Sequence, residues 1–360
     1  MDSENSRIPA VVVGTGFGCQ VHVPAMRAAG FEVVALVGTD ARRLADRAAR
    51  CGVPETFTDL GQAIAKTGAR LVSISTPPNT HAGLAIKALE AGCHVVSEKP
   101  MALTVGEAQA MVDAAERTGL LHLIGHELRF QPDRVLIGRA LAAGQIGEPR
   151  FVTMLRYIPY VADPGSIGKT PPLWWFDKAA GGGWLGASGS HMIDQIRMWL
   201  GDFHSVSAAL PIVSDRKDVA EDSLIIRFRL KNGVEGVLQE TAGAWGPRSS
   251  IFRIAGTRGT LIAENSTVSL ADRDGCRELP LTEDLKAAPA QSHAAEPAGR
   301  VPIELAPYTC LYKATRALID GNPVRTLVPL PTFRDGLACM RVLDAVRLSA
   351  RHGGALVEVG

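Results

Sequence analysis

The sequence predicts an α/β protein in two domains. A doubly wound parallel sheet is expected over residues 1–126, and an α+β domain with an open, mostly antiparallel sheet over residues 127–360. Three observations predict this arrangement. An apolar run near the amino terminus leads into a glycine turn, strand-like and helix-like segments then alternate as far as about residue 126, and residue-by-residue apolar/polar alternation follows.

The composition is that of a globular protein with a sizeable core. Of 360 residues, 46% are hydrophobic and 21% charged, and a usual size of about 150 residues per domain favours two domains. The 38 Lys and Arg residues nearly balance the 37 Asp and Glu residues, which argues against a nucleic-acid partner or a polybasic membrane contact. No apolar run reaches the about 20 residues of a membrane span, and the polar, acidic amino terminus is unlike a signal peptide. We therefore expect a cytoplasmic protein.

The six cysteines are scattered along the chain, without a CxxC motif or a Cys/His cluster. Such spacing indicates neither a zinc site nor a disulfide framework. We expect no bound metal and mostly buried thiols in a reducing compartment.

The first predicted strand, residues 8–13, runs into a glycine turn followed by a helix over residues 22–29. Backbone N–H groups and the positive end of a helix dipole suit a pyrophosphate there. The candidate dinucleotide-binding residues are Gly14, Thr15, Gly16, Phe17 and Gly18. The G-x-G-x-x-G fingerprint is imperfect because its third glycine falls on Cys19, a residue small enough to keep helix and strand close. A glycine turn without a ligand is the alternative.

The end of the second predicted strand bears on the choice of cofactor. An NAD-binding protein usually has Asp or Glu here for the ribose 2′-hydroxyl, but this chain has Gly38 followed by Thr39 and, close behind, Arg43. A cation without a carboxylate suits a 2′-phosphate, so NADP is favoured, with Thr39 and Arg43 as ligands. The alternatives are NAD held by Asp40, or Arg42 and Arg43 as plain surface charges.

Further strand and helix units follow in strict alternation. A strand over residues 70–75 precedes a helix over 82–91, and a strand ending at Lys99 precedes a helix over 104–118. Because parallel strands share their carboxyl edge, Lys99 is expected at the same sheet edge as the glycine turn.

Lys99 is the leading catalytic candidate. It ends an apolar, β-branched run, and Pro100 forbids the strand from continuing. A partly desolvated lysine near a cationic ring can donate or accept a proton. Taken alone, Glu98 and Lys99 would be an ordinary surface pair.

Four stretches together resemble the glucose-fructose oxidoreductase / inositol dehydrogenase / MocA (Gfo/Idh/MocA) family of dinucleotide-dependent oxidoreductases. They are Gly14-Thr15-Gly16-Phe17-Gly18, Ser75-Thr76-Pro77-Pro78-Asn79-Thr80-His81, Glu98-Lys99-Pro100-Met101-Ala102 and Gly144-Gln145-Ile146-Gly147-Glu148-Pro149. The resemblance implies an N-terminal Rossmann domain and a lysine, Lys99, that contacts both substrate and nicotinamide. It implies that Glu98 and Pro100 shape the lysine's turn. It also implies a cofactor ribose side lined by Ser75, Thr76, Pro77, Asn79 and His81.

The remaining chain is predicted to be rich in strands. A helix over residues 132–143 leads to strand-like segments at 150–158, 205–210, 222–230, 234–241, 250–255, 260–263 and 267–270. Alternation within residues 224–230 suits an antiparallel sheet with one face on a core. The Ala- and Pro-rich tract 286–300 is predicted to be an exposed loop.

A second candidate site follows the glycine run 181–183. A helix there carries His191 and Asp194 three residues apart, hence on one face. Taken alone, His191 would more often be a core residue, but it matches the family's catalytic histidine, at the far side of the substrate from Lys99. The family pattern has aspartate four residues earlier, where this chain has Ala187, so the imidazole would be less basic or oriented by another group.

Aromatic residues concentrate near the same run, and Tyr157 and Trp175 are candidate substrate-stacking residues. The alternative is that these aromatics are core.

The predicted activity is interconversion of a secondary alcohol and a ketone on a small cyclic, sugar- or polyol-like substrate by an NADP- or NAD-dependent oxidoreductase. The alternatives are a glycoside-cleaving enzyme that retains its NAD, or a dinucleotide-binding sensor without turnover. We also expect a homodimer or homotetramer formed through the C-terminal sheet.

Overall fold

The computed structural model describes residues 7–167, 171–286, 302–324 and 328–360. Its contacts divide the chain into two units, Met1–Phe130 with Ala288–Leu337, and Gln131–Ala287 with Ala338–Gly360. The predicted division at 126/127 assumed two consecutive segments. In the structure the late segment Ala288–Leu337 belongs to the first unit instead. The predicted loop 286–300 lies, except for Lys286, outside the described residues.

The first unit contains the predicted parallel sheet. Its strands are β1 (Ile8–Val13), β2 (Phe31–Val37), β3 (Glu55–Phe57), β4 (Leu71–Ile74), β5 (His94–Ser97) and β6 (His122–Ile124). Their order is β3-β2-β1-β4-β5-β6, and every pair is parallel. The order reverses between β1 and β4, which is where a doubly wound sheet binds its ligand. The predicted fold class is therefore confirmed for this unit.

Helices connect these strands: α1 (Val23–Ala28), α2 (Ala41–Cys51), α3 (Leu60–Thr67), α4 (His81–Glu90) and α5 (Val105–Thr118). Side chains cap several of them, since Asp40 accepts from the Arg43 N–H and Thr104 forms a capping box with Glu107. A π-helical turn, Gly18–His22, precedes α1 without a break. The chain therefore enters this helix directly from the glycine turn.

The second unit contains a mixed, mostly antiparallel sheet, as predicted. Its strands are β7 (Pro149–Tyr157), β8 (Phe203–Ala209), β9 (Ser223–Leu230), β10 (Glu235–Thr241), β11 (Ser249–Gly256), β12 (Gly259–Glu264), β13 (Thr267–Asp272), β14 (Gly275–Glu278) and β15 (Val357–Glu358). Their order is β14-β13-β12-β11-β7-β10-β9-β8-β15. Among the described strand pairs of this second sheet, only β7 and β10 are parallel. In β9 the predicted alternation is present, because Ile226 and Phe228 are buried while Ile225 and Arg227 are exposed.

The other helices are α6 (Pro132–Ala142), α7 (Pro164–Ile167), α8 (Ser190–Leu200), α9 (Leu305–Ile319) and α10 (Phe333–Arg351). Helix α9 belongs to the first unit, where Tyr308 and Tyr312 are fully buried. In the described part of the chain no helix combines the length and apolar character needed to cross a bilayer.

Candidate active site

The glycine turn after β1 has the geometry of a ligand-binding turn. Gly14 has a φ of +100°, and a Cβ there would lie 2.5 Å from the Ser75 carbonyl oxygen, so only glycine fits. At Gly16, by contrast, a Cβ would meet no atom within 4 Å. The turn is therefore packed against β4 on one side and open on the other, which lets a pyrophosphate approach the backbone.

Ser75 serves mainly to hold this turn. Its hydroxyl donates to the Val13 carbonyl at 3.0 Å, and a Cβ on Gly18 would lie 2.5 Å from the same hydroxyl. On the other side of the turn, the Arg47 guanidinium donates to the Thr15 carbonyl. Sequence reasoning missed Arg47, because nothing in the helix pattern of α2 distinguishes it from its arginine neighbours.

The loop after β4 carries the other predicted cofactor residues. Pro77 is half-buried and Asn79 exposed, and the Thr76 and Thr80 hydroxyls lie 2.6 Å apart. His81 is completely buried, with Nε2 2.8 Å from the Thr76 carbonyl oxygen and Nδ1 3.0 Å from the Pro100 carbonyl oxygen. Burial lowers the pKa of His81, so the neutral ring donates to one of these carbonyls at a time. His81 therefore braces the ends of β4 and β5.

At the end of β2, Thr39 and Arg43 are exposed, beside Gly38. Asp40 accepts a 3.0 Å hydrogen bond from the Arg43 N–H, which lowers the pKa of that carboxyl group, and the Arg43 guanidinium lies 3.5 Å from the same carboxylate. Asp40 is thus occupied as the N-cap of α2, while Arg43 keeps a solvent-facing side chain.

Lys99 is half-buried immediately after β5, at the predicted edge of the sheet, beside two buried carboxyl groups. Its backbone N–H lies 3.3 Å from Glu98 Oε2, and its positive charge favours ionisation of both acids, although burial outweighs this effect at Glu127 and raises the pKa of that group. The lysine is therefore an electrostatic neighbour of both acids.

A buried hydrogen-bond network holds Glu98 in place. His22 Nε2 lies 3.2 Å from Glu98 Oε1, and the Tyr308 hydroxyl donates to the same oxygen. On the far side of the ring, His22 Nδ1 lies 2.6 Å from the Tyr312 hydroxyl and 2.9 Å from the Ser73 hydroxyl. Sequence reasoning missed this network because its tyrosines come from α9, far along the chain.

The pKa values of the two carboxyl groups are shifted in opposite directions. Burial alone would raise the pKa of Glu98, but the hydrogen bond and charge of His22 hold it below its ordinary value. Burial and the charge of Glu98 raise the pKa of Glu127 well above its ordinary value. Glu98 is therefore the stronger acid of the two and Glu127 the weaker.

The second unit carries His191 and Asp194. Both are buried residues of α8, which continues a π-helical turn, Leu185–Gly189. The glycine run before it is fixed by Glu221, because the Leu185 N–H lies 3.2 Å from Glu221 Oε1 and a Cβ on Gly183, where φ is +114°, would collide with that carboxylate. No motif in the sequence pointed to Glu221.

Ala187 lies beside a different polar cluster. It is buried, and the hydroxyl of the next residue, Ser188, accepts from Arg156 at 2.8 Å and donates to Glu240. Arg156 and Glu240 are themselves 3.2 Å apart. A serine, arginine and glutamate therefore form a buried, compensated group next to the position where the family pattern has aspartate.

The two predicted stacking residues, Trp175 and Tyr157, lie in different surroundings. Trp175 is half-buried and stacks on Tyr160 with ring centroids 5.1 Å apart, and its centroid is 5.8 Å from that of Trp184. Tyr157 follows Arg156 in β7, and successive residues of a strand face opposite ways. Since Arg156 contacts Ser188, Tyr157 lies on the other face of the sheet, beside Gln239. The structure thus does not bring Tyr157 together with His191, contrary to prediction.

The first unit therefore gathers the glycine turn, the loop after β4 and Lys99 at the carboxyl edge of one parallel sheet. The open side at Gly16 and the exposed Thr39 and Arg43 fit a dinucleotide, with Gly14–Gly18 facing the pyrophosphate. In the described part of the chain, no group of three or more His, Cys, Asp or Glu residues is placed to hold a metal ion.

A doubly wound sheet with this turn, and with a lysine beside two buried carboxyl groups at its carboxyl edge, is typical of a dinucleotide-dependent oxidoreductase. The chain belongs to the Gfo/Idh/MocA oxidoreductase family. Residues 8–126 match its "Oxidoreductase family, NAD-binding Rossmann fold" domain, and residues 136–262 match a "GFO/IDH/MocA C-terminal domain". The resemblance inferred from the motifs is thereby confirmed.

Two relatives carry names that refer to sugar-like compounds. Levoglucosan dehydrogenase of Pseudarthrobacter phenanthrenivorans is 31% identical over 242 residues, 61% of either chain. The 1,5-anhydro-D-fructose reductase of Ensifer adhaerens is 29% identical over 270 residues, 72% of this chain and 78% of the reductase. A solved levoglucosan dehydrogenase in complex with NADH and levoglucosan superposes with a TM-score of 0.83 at 26% identity, over 98% of this chain and 100% of that chain.

Proposed function

We propose that this protein is an NAD(P)-dependent oxidoreductase that interconverts a secondary alcohol and a ketone on a small cyclic, sugar- or polyol-like substrate. The observation that carries the proposal is the position of Lys99, half-buried at the sheet edge next to the glycine turn and flanked by Glu98 and Glu127. The names of levoglucosan dehydrogenase and 1,5-anhydro-D-fructose reductase support a cyclic sugar derivative as substrate.

The residues of the first unit manage the proton. The bound nicotinamide would supply or accept the hydride. Lys99 would exchange the proton of the reacting hydroxyl, because a half-buried amine at this sheet edge is placed to donate or accept a proton. Burial and the charge of Glu98 raise the pKa of Glu127, which favours one net negative charge beside the lysine over two.

His191 is proposed to orient the substrate oxygen. It is the residue of the second unit that matches the family's catalytic histidine, and Asp194 on the same face of α8 is proposed to bind substrate as well. The half-buried Trp175 offers an aromatic surface suited to a sugar ring.

We propose NADP as the preferred cofactor, with NAD as the alternative. Arg43 is 64% exposed and its contact with Asp40 is 3.5 Å, so its guanidinium can reach a 2′-phosphate. The NADH in the levoglucosan dehydrogenase structure favours the alternative. Arg43→Ala should weaken NADPH binding by about 1–3 kcal/mol while leaving NADH binding nearly unchanged, as for other charge-assisted hydrogen bonds.

Isothermal titration of wild type and Arg43→Ala with both cofactors measures this preference, and Arg42→Ala is the matched control. Equal dissociation constants for NADPH and NADH in the wild type would exclude an NADP preference.

The activity itself is tested by following NADPH and NADH oxidation with a panel of cyclic ketones, anhydrosugars and sugar derivatives, and reduction of the oxidised cofactors with the matching alcohols. Turnover on a cyclic hydroxyl or ketone is expected. Cleavage of a glycoside without net cofactor consumption would instead identify the glycoside-cleaving alternative. Cofactor binding without turnover of any compound in the panel would favour a dinucleotide-binding sensor, the alternative suggested by Ala187 at the family's aspartate position.

We further propose that a second copy of the chain covers the outer face of the C-terminal sheet. That face exposes Phe151 and Ile225, 48% and 50% accessible, and ion pairs such as Arg227–Glu235 flank them. An apolar centre with a polar rim is the composition of a subunit interface.

A further inference from the structure

Two cysteines lie together behind the glycine turn. Cys19 is buried in the π-helical turn that follows Gly18, and Cys51 is the last residue of α2, half-buried. The Cys51 thiol lies against the Cys19 residue, with Cys51 Sγ 4.0 Å from the Cys19 carbonyl oxygen. In the sequence 31 residues lie between the two cysteines, so their spacing does not indicate that they are neighbours.

The surroundings favour a thiolate at Cys51. The Arg27 guanidinium donates to the Cys51 carbonyl at 2.5 Å and to the Gly52 carbonyl at 2.8 Å. The neighbouring Cys19, together with the charges of Arg27, Arg50 and Arg47, outweighs burial and lowers the pKa of Cys51 to about 7. The same pairing and burial raise the pKa of Cys19. A half-exposed thiolate beside a protonated thiol is the arrangement of a peroxide-sensitive pair.

The other cysteines differ from Cys51 in burial, in pKa or in both. Burial raises the pKa of Cys93 to about 11 and also raises that of Cys310, while Cys276 is exposed on β14. These residues provide internal comparisons on the same chain.

We propose that Cys51 is a peroxide-reactive thiol that Cys19 resolves into a reversible disulfide. The Cys51 thiolate attacks hydrogen peroxide, the O–O bond breaks, and sulfenic acid and hydroxide form. The Cys19 thiol then attacks the Cys51 sulfur, an S–S bond forms, and the hydroxyl leaves as water with the thiol proton. Peroxide is the oxidant, and both sulfurs are oxidised. Disulfides of this transient kind are the ones expected in reducing compartments.

The disulfide would act on the glycine turn, and this part of the inference rests on the proposed function. Cys19 follows Gly18, where the backbone has no free space because a Cβ would lie 2.5 Å from the Ser75 hydroxyl. Drawing Cys19 toward α2 would therefore shift the turn and the Arg47 contact with Thr15. We expect NAD(P)(H) affinity to fall about fivefold or more, the lower range of typical couplings between sites.

The experiment uses the full-length reduced protein, treated with stoichiometric hydrogen peroxide at neutral pH and digested under non-reducing conditions. Mass spectrometry should find a peptide linking Cys19 to Cys51, reversed by dithiothreitol. In Cys19→Ser, dimedone should trap a sulfenic acid at Cys51, whereas Cys51→Ser should give no adduct at Cys19. Cys276→Ser is the control for an exposed thiol. The wild-type peptide map does not depend on the variants folding.

Faster oxidation of Cys276 than of Cys51, or the absence of the Cys19–Cys51 peptide, would overturn the proposal. A linked peptide with unchanged cofactor affinity would overturn its regulatory part. Failure of the reduced protein to bind either NADPH or NADH refutes the proposed function, and leaves the disulfide to be judged by the peptide map alone.

Discussion

At the scale of single residues, the proton-transfer role proposed for Lys99 depends on the charged groups around it. Its neighbours Glu98 and Glu127 are both buried, and their pKa values shift in opposite directions. Burial opposes ionisation of both, but the hydrogen bond and charge of His22 outweigh it at Glu98, whereas the charge of Glu98 adds to it at Glu127.

Replacement of this lysine should impair chemistry more than binding. We expect Lys99→Ala to lower kcat by about a hundredfold or more, the usual scale for a lost acid–base group, and to leave the cofactor dissociation constant nearly unchanged. Steady-state kinetics and cofactor titration measure the two effects. Lys87→Ala removes a lysine that instead pairs with Asp59 at 2.7 Å, and should change neither. Wild-type turnover in Lys99→Ala would remove this residue from the mechanism.

The roles of His191 and Ala187 can be separated by kinetics. His191→Ala should reduce kcat/KM less than Lys99→Ala, if His191 orients the substrate while Lys99 transfers the proton. Ala187→Asp should slow the enzyme, because position 187 is buried and an added carboxylate there would be costly unless paired. A faster Ala187→Asp enzyme, or a larger loss in His191→Ala than in Lys99→Ala, would reverse this assignment.

Among the elements, α9 contributes most to the environment of the lysine. Its tyrosines approach the carboxyl ends of β4 and β5 from outside the contiguous βα repeat, and Tyr308 also lies 3.3 Å from the Gly125 carbonyl oxygen. The turn that begins at Glu127 follows β6 after Gly125 and His126, and Glu127 is buried within the electrostatic reach of Glu98. Its raised pKa is a property of this packing.

The raised pKa of Glu127 predicts a specific dependence of stability on pH. The folded state holds this proton more tightly than the unfolded state, whose pKa is near the ordinary value of 4.5. The resulting stabilisation is complete below pH 4.5 and is lost as pH rises through the folded pKa. Glu127→Gln keeps a neutral side chain, so its free energy of unfolding should exceed that of the wild type by about 1 kcal/mol or more at pH 8.

Urea unfolding of wild type and Glu127→Gln at several pH values between 5 and about 8 tests this, with the exposed Glu90→Gln as control. A difference between wild type and Glu127→Gln that stays constant over this range would show that Glu127 does not titrate differently in the folded state.

For the molecule as a whole, the C-terminal sheet has one face on its own core and one outer face, which we propose a second copy of the chain covers. The strand register places Ile225 opposite Gln239 and, through it, Leu155, all on the outer face. Burial of such a face is what an isologous dimer would gain.

Ile225→Glu should therefore weaken self-association by about tenfold or more in Kd, as for a central interface residue. Light scattering coupled to size exclusion measures the assembly. Leu173→Glu is the matched control, since Leu173 is 88% exposed but lies outside the sheet. An unchanged oligomeric state in Ile225→Glu would exclude this face as the interface.

The sequence by itself determined the features that depend on neighbouring residues. The apolar run before Gly14, the stop at Pro100 and the alternation within β9 are local patterns, and each predicted its strand because pleat and backbone constraints act over a few residues. Lys99 could be placed at the sheet edge for the same reason.

Only the tertiary structure decided the contacts between distant segments. Tyr308 reaches Glu98 across 210 residues, and Cys19 meets Cys51 where a turn passes the end of a helix. The face on which Tyr157 lies depends on the strand parity of β7 and on which face α8 covers, which the sequence does not show. Burial raised the pKa of Glu127, because the free energy of a charge depends on everything packed around it, including residues far away in the sequence.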